Sequence, residues 1–392
     1  MSDNLKERLL LMTTGFTRNA VVMGLSLILQ LYMTSLGSNI FWVGVVSALG
    51  GIGTILFSPV WGSLSDKGGR KSYLIISSLI ALTFLLFYPL APNFILIIFL
   101  VFLFSSANAG FVPIATTFAS EKSKRRGIEV SFFNSALSFG NFMGMVIIGI
   151  LTIWLSVKMS LWVFVLVFVL SILPIIWIKE DKNRVSIRTA HHGLLTLDDL
   201  SFMKENHLGS IYISAFLRQI GVSGVTSIAA VYFVYDAHLP LSLVGFLAGL
   251  NPLVQIFSTL IFARIAETKN SKISVMLGMA ITTVSILSFA IFRDVFGVGL
   301  AYGLLGLGFG AFISGSTTYI SFAVSSDLRG RFMGLFTSFR SFGTVVGSFL
   351  GGIIAMMIGY HLDFLFMAIA VGTAYMIVCL FFKENPVFQN AR

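Results

Sequence analysis

An all-helical integral membrane protein, with twelve spans in two related six-helix halves, is the fold class this sequence predicts. Three observations predict it. Only 11% of the 392 residues are charged and 56% are hydrophobic, whereas a soluble protein carries about 25% charged residues. Too few charges are present to cover a soluble surface. The apolar runs reach the ~20 residues that cross the hydrocarbon as a helix, far beyond the roughly ten of a barrel strand. The second half of the chain also repeats the first, at an offset of 200–203 residues.

The elements follow from the apolar runs and the polar breaks between them. Helices are predicted over 9–36, 41–62, 72–91, 94–119, 128–156 and 160–178, then over 208–235, 241–263, 272–292, 296–323, 331–359 and 362–382. Lys and Arg orient them. Of the 26 basic residues, 21 fall at the N-terminus, in the segments after the even-numbered helices up to the tenth, and at the C-terminus. Only Lys158 and Arg293 fall in the opposite loops. Such asymmetry places both termini in the cytoplasm.

The mixed-charge start, Met1 to Arg8, followed by a full-length apolar run, predicts an uncleaved first helix rather than a signal peptide. The net charge of +10 sits in short loops, where it reports topology and not nucleic-acid binding. One cysteine, Cys379, excludes a disulfide framework and a multi-cysteine metal site.

Residues 179–207 form the one long polar stretch and divide the helices six and six. The domains expected are therefore 1–178, a cytoplasmic linker at 179–207, and 208–392. Within the linker, Leu194, Leu195, Leu197, Leu200, Phe202 and Met203 alternate with polar residues, which fits a short amphipathic helix on the membrane surface or an irregular linker. The repeat aligns Gly127, Gly140 and Gly144 with Gly330, Gly343 and Gly347, and Ser138-Phe139-Gly140 with Ser341-Phe342-Gly343. Asp66 meets Glu267, Lys71 meets Lys272, and Arg18 meets Arg218.

Between the second and third helices lies Gly62-Ser-Leu-Ser-Asp-Lys-Gly-Gly-Arg-Lys71. It resembles the corresponding loop of the major facilitator superfamily, G-x-L-a-D-x-x-G-r-k, at Gly62, Leu64, Asp66, Gly69, Arg70 and Lys71. Two parallel six-helix halves joined by a cytoplasmic linker are the arrangement that resemblance implies. It also implies a conformational latch, with Gly62, Asp66, Gly69, Arg70 and Lys71 as its residues. Read by itself, the same loop is a cationic anchor on the cytoplasmic side. The second-half copy keeps Glu267 and Lys272 but has Asn270 and Ser271 in place of Gly69 and Arg70, so an asymmetric latch is expected.

Gly140-Asn-Phe-Met-Gly144 and Gly343-Thr-Val-Val-Gly347 place glycines four apart, a spacing that lets helix backbones approach closely. Both resemble the helix-5 signature of the family's drug antiporters, except that Met145 and Ser348 replace its proline. Phe102 likewise stands where those antiporters often carry an Arg.

Arg18 and Arg218 lie about ten residues into their helices, ~15 Å of rise, near the bilayer midplane. An arginine there costs at least about 2.5–3.5 kcal/mol. The pair resembles the paired arginines of organic-phosphate antiporters, which implies anion binding. The alternatives are helix-to-helix bonding, pairing with Glu129, or snorkelling to the cytoplasm. Arg340 is a third candidate. Polar and aromatic candidates for substrate contact include Gln30, Tyr32, Asn108, Gln219, Tyr232 and Asn251, each equally able to bridge helices.

The central stretches of helices 1, 4, 7 and 10 lack Asp and Glu, which argues against a simple buried-acid proton relay. Asp363 is read as an outer-loop residue, and Asp66 and Glu129 are the coupling candidates. No G-x-x-x-x-G-K-[ST] loop is present, so ATP is not expected as the energy source. Nor are a cofactor, a metal or a catalytic group.

The resemblance implies a secondary transporter in the cell membrane, working by alternating access on a small amphipathic or anionic organic solute. Antiport against a proton or counter-substrate is one form; proton-coupled multidrug efflux is the alternative. A non-transporting receptor or scaffold ranks last. Lipid and a small-molecule substrate are the expected partners, and a monomer the expected state.

Overall fold

The computed structural model describes residues 3–121, 126–178, 202–203, 208–268 and 270–382. Twelve helices among them are long and apolar enough to cross a membrane. They are α1 (Lys6–Ser35), α2 (Ile40–Gly68), α3 (Arg70–Leu90), α4 (Phe94–Ala119), α5 (Phe132–Trp154) and α6 (Val157–Trp177). The second set is α7 (Leu208–Asp236), α8 (Leu241–Thr268), α9 (Ser271–Ile291), α10 (Val295–Ala323), α11 (Leu328–Ile358) and α12 (Tyr360–Phe381). The described residues contain no strand. In lipid, helices satisfy every backbone group internally.

The starts of several spans are fixed by side-chain caps. Asn39 accepts from the Trp42 amide, Asn93 from Leu96 and Ser156 from Met159. Asn270 accepts from Lys272 and Ile273, and Asp294 from Phe296 and Gly297. Each oxygen answers donors that no preceding helical turn can reach. Outward faces are apolar, as lipid requires. Trp154 and Phe296, at helix ends, are 82% and 89% exposed, where aromatic rings favour the membrane interface.

Two compact units emerge. One holds Met1–Ile187 with Phe233–Pro252, and the other Arg188–Tyr232 with Leu253–Arg392. In the first unit, a Cβ at Gly140 or Gly144 would run into the backbone carbonyls of Phe16 and Ala20 on α1. Phe16 and Phe139 stack beside this contact at 5.6 Å. The second unit repeats the device: Gly343 and Gly347 press on the carbonyls of Phe216 and Ile220, and Phe216 stacks on Phe342 at 5.7 Å. The glycine spacing is therefore a packing device in both units. The first unit has one more such approach, with Gly245 of α8 close to the Gly149 backbone of α5.

Two details differ from the sequence reading. First, α2 runs to Gly68 and α3 starts at Arg70. The Gly62–Lys71 stretch is thus two helix ends hinged at Gly69, whose φ is +100°, a value that favours glycine. Second, Asp363 lies in the first turn of α12 and is fully buried rather than in an outer loop. The amphipathic helix expected within 179–207 falls mainly outside the described residues. Of its apolar series, Met203 is buried in the second unit's core and Phe202 packs on Phe332 at 4.8 Å.

Candidate functional site

Arg18 sits in the first unit with no exposed surface. Its Nε donates to Asn108 Oδ1 at 2.8 Å and its Nη1 to Ser78 Oγ at 2.6 Å. The guanidinium lies 4.6 Å from the Phe111 ring centre and 4.3 Å from that of Phe168. Neutral acceptors from α3 and α4, plus rings from α4 and α6, hold the cation without a carboxylate. Aromatic faces attract a cation through their quadrupole, most strongly where it is desolvated.

Arg218, its repeat partner, is 1% exposed in the second unit. Its Nε donates to Thr282 Oγ1 at 3.2 Å. Its guanidinium lies 4.9 Å from the Phe312 ring and 5.7 Å from that of Phe309. Neither Nη1 nor Nη2 finds an acceptor among the described residues. Arg340 reaches the same Phe309 ring at 5.3 Å and Phe336 at 5.9 Å, and its Nε is also buried without an acceptor. The two cations are close enough to act on each other electrostatically.

The other candidates are scattered. Asn108 serves Arg18. Gln30 donates to the Ser26 carbonyl within α1, and Tyr32 is buried nearby. Gln219 is half-buried on α7, close to Gly343. Tyr232 packs against the rings of Tyr360 and Phe364. Asn251, just before Pro252 in α8, has a buried Oδ1 without a partner among the described residues.

At the loop, Arg70 pairs with Asp66 at 2.7 Å and donates to Ser65 Oγ at 3.3 Å. Arg70 is buried while Asp66 is partly exposed. The ion pair spans the Gly69 hinge. Gly62, one turn earlier, has open space where a side chain would project. Lys71 donates to the Ile176 carbonyl at 2.6 Å, and Lys272 to the Cys379 carbonyl at 3.2 Å. Both lysines therefore tie the last turn of the sixth helix of their half, where unpaired carbonyls concentrate negative partial charge.

Glu129 is buried in the first turn of the helix Arg126–Trp154 that continues into α5, and takes both donors of Arg8: Nε reaches Oε2 at 2.7 Å, and Nη2 bonds Oε1. This pair lines a small cavity with Glu7, Leu11, Met12, Ala119 and Phe133. The repeat replaces Arg8 and Glu129 by Leu208 and Phe332, both buried and apolar.

Three participants escaped the sequence reading. Arg8 reads only as part of the mixed-charge start, and Phe309 has nothing in the sequence to set it apart from other apolar residues. Asp363 stands beside a glycine and so resembles loop; both its carboxylate oxygens are buried without a partner among the described residues. Aligning Phe309 with Asn108 would have exposed the lost acceptor. No group of three or more metal-ligating side chains occurs among the described residues.

The comparisons agree with this architecture. The chain is 28% identical over 352 residues to a multi-drug resistance efflux pump, PmrA, of Streptococcus pneumoniae, covering 87% of this chain and 85% of that one. It is 24% identical to the multidrug resistance protein MdtG of Proteus mirabilis, over 89% of both chains. In fold it resembles the nucleoside transporter NupG (D323A mutant), with TM-score 0.84 at 16% identity over 96% of this chain and 100% of that one. A bacterial homolog of the human lysosomal transporter Spinster matches with TM-score 0.78 at 13% identity, over 98% and 97%. The family model described as Major Facilitator Superfamily matches residues 10–207 and 211–391, and with its twelve membrane-crossing helices the chain belongs to that superfamily of membrane transporters.

Proposed function

We propose that this transporter exports amphipathic organic solutes from the cytoplasm by alternating access, in exchange for protons. The observation that carries the reading is the repeated helix pairing. α5 is locked to α1, and α11 to α7, by glycines seated on backbone carbonyls. Glycine contacts of this kind make rigid pairs. Matched rigid pairs in two related halves suit a rocking cycle around a midplane site. Export is the direction supported by similarity, over 87% and 89% of this chain, to proteins named as a multi-drug resistance efflux pump and a multidrug resistance protein.

Coupling is assigned to acids that hold arginines. Asp66 pairs with Arg70, and Glu129 with Arg8. Protonating either acid would free its arginine, giving a differential interaction that can shift a conformational equilibrium. The domain division at 179–207, cytoplasmic termini and a monomeric state complete the proposal.

Dye extrusion from cells expressing the chain tests it. Faster loss of an amphipathic dye, slowed by collapsing the proton gradient, is the expected result. Dye retention equal to that of cells lacking the protein would reject export.

A further inference from the structure

The two repeats treat the same buried cation differently. In the first, Asn108 and Ser78 accept from Arg18, and Phe168 covers a second face. In the second, Thr282, one helical turn beyond the repeat of Ser78, accepts from Arg218, while the repeat puts Phe309 where Asn108 stands and Val371 where Phe168 stands. An acceptor has been removed. The repeat also puts Arg340 where the first half has Leu137, so a cation has been added. The result is three buried donors without acceptors, Nη1 and Nη2 of Arg218 and Nε of Arg340.

No acid on the surrounding helices answers them. In α7, α9, α10 and α11 the only Asp or Glu is Asp236, about 27 Å of helix rise beyond Arg218; α12, packed on α7, carries Asp363 about 12 Å of rise from Val371, and its carboxylate oxygens bond neither arginine. A buried polar donor without an acceptor is unfavourable, and a charged one more so. The arrangement makes sense if the acceptor arrives from outside the chain.

We infer that Arg218 and Arg340 form an anion site within the second unit, and that its occupant is an amphipathic organic anion: a carboxylate or sulfonate on an aromatic body. Guanidinium donors can bond two oxygens of such a group at once. Phe309, half-buried and shared by the two cations, supplies an apolar wall for the ring, backed by the core residues Phe312 and Phe336. Arg18, bonded through Nε and Nη1 and stacked on two rings, keeps only Nη2 without an acceptor and is scaffold. The inference rests on the transporter reading and narrows its substrate class.

The test uses the full chain in lipid nanodiscs and three probes: naphthalene sulfonate, the ring-matched naphthyl trimethylammonium, and inorganic phosphate. Calorimetry should show the sulfonate binding ~10-fold or more tighter than either of the others. Arg340→Gln should weaken the sulfonate ~10-fold or more, the loss of a charge-assisted bond, and leave the ammonium within about twofold. Lys158→Gln, an exposed outer cation, should change neither. Arg340 is half-buried, so its variant remains informative if Arg218→Gln fails to fold. Unchanged sulfonate affinity in a folded Arg340→Gln would overturn the inference, as would tighter binding of the ammonium by the parent protein. Transport of both ring probes with Arg340→Gln unaltered would leave the export reading standing and remove this one. Sulfonate binding as expected, with no movement of either probe across liposomes, would do the reverse.

Discussion

A guanidinium with no exposed surface has to be held from inside the protein, and Arg18 is held through Nε and Nη1, with Nη2 alone left without an acceptor among the described residues. Two neutral oxygens and two rings hold it. Removing the side chain would leave those oxygens unanswered and open a cavity. Arg18→Ala is therefore expected to cost on the order of 2–4 kcal/mol, read as a lower melting temperature in detergent. A variant as stable as the parent would show that the bonds to Asn108 and Ser78 contribute nothing. The position of Arg18 in its helix was legible from the sequence. Its partners were not, because Ser78 and Asn108 lie 60 and 90 residues away. Asp363 misleads for a related reason. A single acid after Gly-Tyr-His-Leu reads as a turn, and only the packing of α12 shows the carboxyl to be enclosed. At Gly144 the sequence reading needed no partner, since glycines four apart already imply a close helix approach. Gly144→Val should destabilise by about 1–3 kcal/mol through overpacking against Ala20.

At the scale of elements, the Gly62–Lys71 segment joins two helices with one residue. A single hinge at φ +100° lets α3 begin directly after α2, and Arg70 turns back to Asp66 and Ser65. The motif was visible in the sequence, but its helical continuation to Gly68 was not. Gly-Ser-Leu-Ser-Asp-Lys-Gly has the composition of a loop, and the helix persists because α2 extends beyond its apolar run. Gly69→Ala should strain the hinge by roughly 1–2 kcal/mol. Asp66→Asn should leave the fold intact and slow transport, because the buried Arg70 loses its charged partner. Proteoliposome rates measured beside thermal melts separate these effects. An unchanged rate with an unchanged melt would remove Asp66 from the latch. The second half keeps the lysine tie through Lys272 but replaces the hinge glycine by Asn270, which caps α9 instead. The asymmetry of the two hinges was legible from that substitution.

Over the whole molecule, composition and the length of the apolar runs were enough to read twelve spans, and the described residues contain twelve helices long and apolar enough to cross a membrane. What the sequence could not show was how one repeat diverges from the other in its interior. A neutral acceptor lost at Phe309 and a cation gained at Arg340 are two ordinary substitutions until packing brings them to one place. The sidedness proposed from the basic loops has a direct test. A cysteine introduced at Ser63, in a background where Cys379 is replaced by serine, should react with an impermeant maleimide only from the cytoplasmic face. The central claim, however, is movement of solute. The most direct measurement is uptake of naphthalene sulfonate and its ammonium counterpart into everted membrane vesicles, whose interior corresponds to the cell exterior, with and without an inward-acidic proton gradient. Gradient-dependent accumulation, lost in Asp66→Asn and selectively lost for the sulfonate in Arg340→Gln, is the result expected. Accumulation no greater than in vesicles lacking the protein, for both compounds and with the gradient intact, would contradict it.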